Sequence, residues 1–134
     1  MENNNKPKLH ISISKEHKEN LAEIEEIFDD FNIEADANLM RFSAEDLPMQ
    51  IIIYFGSAIA GGLTWDLIKS AIKKTYEKFS KARITIRDKD SIMYTIKNDF
   101  TVVVIVVPDR EKEFEHIKNF DDLAKYIDSK TDKK

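Results

Sequence analysis

The stretch IIIYFGSAIAGGLTWDLIKSAIKK, Ile51 to Lys74, decides the fold of this chain. It opens on β-branched residues, passes through small ones and closes as an amphipathic helix. Three readings compete for it. Pro48 to Trp65 carries no charged residue, which approaches the length needed to cross about 30 Å of hydrocarbon. Ser57 with Gly61 and Ala58 with Gly62 recur four apart, a spacing that lets helices approach closely in bilayers. Against a span stand Gln50, three glycines, the acidic residues before it and the amphipathic stripe beyond it.

A phosphate loop is the second reading. Gly56 and Gly61 have the right separation, but Gly62 stands where a lysine should reach the phosphates. Leu63 stands where Ser or Thr should meet magnesium, so that chemistry fails. The third reading is a helix whose small face packs tightly inside the domain, where core density asks small residues to complement large ones. This reading is the one adopted. It makes Ser57, Ala58, Gly61, Gly62 and Trp65 the candidate partner or close-packing face. β-branching in Ile51–Phe55 favours a strand; Pro48 and the unbroken apolar run favour a helix. The helix reading gives one long helix from about Met49 to Lys81.

Outward from this centre the chain alternates sheet and helix signals. Residues 1–7 are polar and expected to be disordered. Leu9, Ile11 and Ile13 alternate as a first strand. Ser14 is placed to cap a helix, whose face is Leu21, Ile24, Phe28 and Phe31. Residues 33–44 read as a second, weaker extended segment. Trp65, Ile68, Ile72, Tyr76 and Phe79 form a helical stripe. Ile84 and Ile86, then Ile92, Tyr94 and Ile96, alternate around turn residues. FTVVVIVV, Phe100 to Val107, is continuously apolar, the pattern of a central strand covered on both faces. Asn119 caps a short C-terminal helix carrying Phe120, Leu123 and Ile127.

The expectation is therefore an α+β fold in the order β-α-β-α-β-β-β-α. One sheet of about four to five strands has its helices mainly on one face. Residues 8–128 form a single domain, and residues 129–134 a frayed tail.

Composition narrows function. The chain has 134 residues, a net charge of −4 and no cysteine, so thiol and disulfide chemistry are excluded. MENNNKPKLHISIS has no apolar core, so no secretory signal is expected and a cytoplasmic location is. The histidines His10, His17 and His116 lack metal-ligand spacing, and Glu23, Glu26 and Asp30 read as a solvated helix face. No nucleophile motif is present. No catalytic residue, metal or cofactor is expected, and the chain is read as not an enzyme.

Charge is distributed in blocks. Residues 15–46 hold three basic and eleven acidic side chains, net −8, and residues 69–97 hold nine basic and three acidic, net +6. On opposite faces such blocks favour head-to-tail association or a charged partner. The basic block is neither arginine-rich nor interleaved with aromatics, so nucleic acid is not an expected partner.

A charged helix after a short strand, an apolar Gly/Ala-rich helix, and then KKTYEKFSKARITIRDKDSIMYTI running from a basic helix end into a hairpin together form a pattern. Over roughly residues 8–127 this resembles the effector-associated constant component proteins of bacterial ternary conflict systems. The FTVVVIVV strand and the FNIEADANLMRFSAEDLP segment depart from that pattern. The resemblance implies a non-enzymatic accessory protein that accompanies a variable effector, and it carries over no catalytic residue. Three functions follow as expectations: a protein-interaction module with a protein partner or a second copy, a membrane-associated protein inserting residues 48–65, and a small enzyme whose site is assembled from distant residues.

Overall fold

The computed structural model describes residues 8–40, 49–54, 64–88, 90–105 and 108–131. Six strands form one mixed sheet, where four to five were expected. They are β1 (Lys8–Ile13), β2 (Glu34–Leu39), β3 (Gln50–Tyr54), β4 (Arg83–Arg87), β5 (Met93–Ile96) and β6 (Val102–Ile105). The helices are α1 (Leu21–Asp29), α2 (Trp65–Lys78), α3 (Glu111–Phe114) and α4 (Phe120–Thr131).

The sheet order is β2-β1-β3-β4-β5-β6. Two parallel pairs, β1 with β2 and β3 with β4, have α1 and α2 as their crossovers, since parallel neighbours need a long connection. β1 and β3 join these units antiparallel, and β4, β5 and β6 continue as a meander.

Residues Gln50–Tyr54 correct the helix reading of Ile51–Phe55, and with it the single long helix from Met49. The segment is a strand between β1 and β4, with Ile51 and Ile53 buried and Ile52 half-buried. Three successive isoleucines hide the period of two, because Ile52 looks out on the other face. α2 starts only at Trp65, where the Thr64 hydroxyl accepts the Leu67 N–H at 3.4 Å. FTVVVIVV is corrected too: β6 is an edge strand, with Val103 45% and Ile105 61% exposed. Ser14 does not cap the following 3-10 turn. Its hydroxyl instead accepts the Gln50 N–H at 2.7 Å, stitching the end of β1 to the start of β3.

Register sorts the side chains cleanly. Leu9, Ile11 and Ile13 align with Ile53 and Ile51, then Ile86 and Ile84, then Tyr94 and Ile96. All are buried. On this side α1 contributes Ile24 and Phe28, α2 Ile68 and Ile72, and α4 Phe120, Leu123 and Ile127. Each fully buried isoleucine or leucine stabilises the fold by about 1.5–3 kcal/mol before entropic losses. The helices are tied to one another and to the meander by aromatic edges. Phe120 meets Trp65 at 5.6 Å and Phe100 at 5.7 Å between ring centroids, and Phe114 meets Tyr94 at 6.4 Å.

Candidate interaction surface

The alternation that buries one side of the sheet turns the other side outward. Ser12, Ile52, Thr85, Thr95 and Val103 form one row across β1, β3, β4, β5 and β6. His10, Tyr54, Arg87, Met93 and Ile105 form the next. Tyr54, Val103 and Ile105 are the exposed large hydrophobic residues among those described. Thr85 is buried in the middle of this face, its hydroxyl 3.4 Å from that of Thr95. The Arg87 guanidinium lies 5.9 Å from the Tyr54 ring centroid and donates to Ser91 Oγ at 3.1 Å.

The two ends of this surface differ in charge. Towards the β2 edge lie Glu34 and Asp36, the latter 3.5 Å from His10. Where α2 ends and β4 begins, Lys81, Arg83 and Lys97 surround an open cavity of about 600 Å³, with Ser80, Asn98 and Val103 also in its wall. Among the described residues no carboxylate lines it. Tyr76, at its base, donates its hydroxyl to the Ile96 carbonyl. Burial pushes the Tyr76 phenol up, so it remains a neutral donor.

The acidic helix face is more than solvated surface. Glu25 accepts the Ala37 N–H at 3.0 Å and so occupies the outer edge of β2. Glu23 accepts from Asn20 at 2.6 Å and faces Lys78 at 3.1 Å. The Asn20 hydrogen bond, with Lys78, holds the Glu23 carboxyl below its usual range. The Glu23–Lys78 pair bridges the acidic and basic sequence blocks. Glu23, Glu25, Glu26, Asp29 and Glu34 line a shallow cavity of about 420 Å³. Among the described residues no group of three or more His, Asp or Glu is arranged to hold a metal ion.

Of the sequence-selected face, Ser57, Ala58, Gly61 and Gly62 lie outside the described residues. Trp65 stands in the first turn of α2, half-buried, with Nε1 donating to Asp128 at 2.8 Å and its ring against Phe120. That contact is internal packing against α4. Sequence reasoning did not single out Lys81, Arg83, Lys97, Val103 or Ile105. The signal was the alternation of Arg83 and Arg87 with Ile84 and Ile86, which marks one β4 face as polar. Nothing in the sequence says that no helix among the described residues covers that face.

No helix among the described residues is long and apolar enough to cross a membrane. Comparison of the chain with known protein families, curated proteins and solved structures finds no match in any of the three.

Proposed function

We propose that this protein is a non-catalytic interaction module that receives a protein partner on the sheet face that no helix among the described residues covers. The observation that carries this reading is the exposure of Val103 and Ile105, 45% and 61%, with Ile105 in register with Met93, Arg87 and Tyr54 and Val103 in the neighbouring row. An apolar patch of this kind on a rigid sheet, rimmed by polar and charged residues, marks a contact surface. The resemblance to accessory components of conflict systems supports the same class of role, with a catalytic effector as the partner.

The test is affinity capture with the native chain, with a Val103→Asp, Ile105→Asp double variant, and with Lys125→Glu on the exposed side of α4 as control. A specific protein retained by native and control chains but lost from the double variant supports the reading. Equal recovery by all three overturns it, as does turnover of a substrate at enzyme-like rates. Flotation of the native chain with lipid vesicles would transfer the role to a membrane.

A further inference from the structure

The basic cavity at the end of the outward sheet face has features of a built site for an anion. Arg83 and Lys97 are fixed through their backbones: the Arg83 N–H bonds the Met49 carbonyl at 2.7 Å, and the Lys97 N–H bonds the Thr101 carbonyl at 2.9 Å. Lys81 sits in the tight turn that follows α2, closed by the Ala82 N–H on the Phe79 carbonyl at 3.0 Å. Among the described residues these three cations make no ion pair, whereas Lys69, Lys74, Lys78 and Arg110 each have a carboxylate within 4 Å. Asp99, which follows the cavity in sequence, accepts the Thr101 N–H at 3.0 Å in the β5–β6 hairpin; its bonds from Thr101 first, and the Lys97 charge to a lesser degree, hold its carboxyl below the usual range. Ser80 and Asn98 add neutral donors to the wall. Three like charges held around one open cavity repel each other, and a bound anion relieves that repulsion.

The cavity also has an apolar wall. Val103 belongs both to it and to the exposed patch that continues to Ile105. We propose that the Lys81–Arg83–Lys97 cavity and the adjoining β6 face bind an acidic, extended protein segment. Its carboxylates enter the cavity, and its intervening apolar side chains lie on Val103 and Ile105. This rests on the interaction-module reading and names the chemistry of the partner.

A polypeptide fits the surface better than a nucleic acid does. Val103 and Ile105 offer apolar contact rather than stacking, and Tyr54, the exposed aromatic residue among those described, already has Arg87 over its ring. Glu34 and Asp36, at the far edge of the same face, oppose a phosphate backbone crossing it.

The experiment measures binding of a labelled peptide of alternating glutamate and valine to the full chain, beside a glutamine–valine peptide, a single-stranded oligouridylate and inorganic phosphate. Variants are Lys81→Glu, Arg83→Glu and Lys97→Glu, each checked for an unchanged thermal transition, with the milder Lys97→Gln in parallel. The expected result is preference for the acidic peptide, with affinity lowered about tenfold by each charge reversal. Amide signals of residues 80–83, 97–98 and 103 should shift on titration. Binding of the acidic peptide that ignores all four variants overturns the proposal. So does oligouridylate or phosphate binding that is tighter and depends on the same lysines. If the protein captured through Val103 and Ile105 stays bound to the charge variants, the module reading stands and the acidic-segment assignment fails.

Discussion

The Tyr94 hydroxyl donates to the Asp88 carboxylate at 2.9 Å, and both residues are buried. The other Asp88 oxygen accepts the N–H groups of Asp90 and Ile92, at 2.8 and 3.0 Å. One side chain therefore closes the β4–β5 hairpin and satisfies a phenol in the core. Asp88→Ala orphans three donors and should cost about 2–4 kcal/mol. Tyr94→Phe removes one bond and should cost less. Urea unfolding of both variants measures the order, and a near-neutral Asp88→Ala would remove this role.

The same pair sets an alkaline limit. Burial first, then the Asp88 bond, pushes the Tyr94 phenol far above the usual tyrosine range. In the unfolded chain that phenol ionises near pH 10. Its contribution is present below that pH and is lost as pH rises above it, because the unfolded chain then releases a proton that the fold retains. Stability should fall steeply above about pH 10, and less steeply in Tyr94→Phe. Thermal melts across that range decide it; identical alkaline slopes would contradict the assignment.

Phe100 holds φ at 66° in the β5–β6 turn, a left-handed conformation that costs a residue with a Cβ about 1–2 kcal/mol. Its ring offsets this by meeting Phe120 at 5.7 Å beneath the Lys69 ammonium, 5.3 Å from the ring centroid. Phe100→Ala loses the packing and keeps the strain. Phe100→Gly loses the packing and releases the strain. The glycine variant should be the more stable of the two by about 1 kcal/mol, the reverse of the order inside a strand. Equilibrium unfolding of the two variants tests it.

Glu25 guards the β2 edge through the Ala37 N–H. Glu25→Ala should cost about 1 kcal/mol and leave an outward amide open to strand pairing with another chain. Concentration-dependent association of that variant, followed by light scattering and absent from Glu25→Gln, is the expected outcome. A monodisperse Glu25→Ala protein would show that the edge is guarded by other means.

Elements whose two faces differ in polarity were legible from the residues. Leu9, Ile11 and Ile13 marked β1, and Ile84 and Ile86 marked β4. The stripe from Ile68 to Ile72 marked α2, and Asn119 does cap α4, its side chain accepting the Asp122 N–H at 2.9 Å. Elements apolar on both faces were not legible. In β3 and β6 the residues that look outward, Ile52, Val103 and Ile105, are as apolar as those that look inward, so periodicity could not separate strand from helix or edge from centre. The charge blocks were visible, but not that Lys81, Arg83 and Lys97 meet.

What the sequence by itself determined is local: which residues alternate, that Asn119 opens α4, and that no cysteine chemistry is available. Only the tertiary structure decided which strands lie side by side. Strand order is set by the packing of two crossover units and a meander against one helical layer, a sum over contacts distant in sequence. That order left one sheet face without a helix among the described residues, placed β6 at its edge and gathered three cations from two turns and a strand into one cavity.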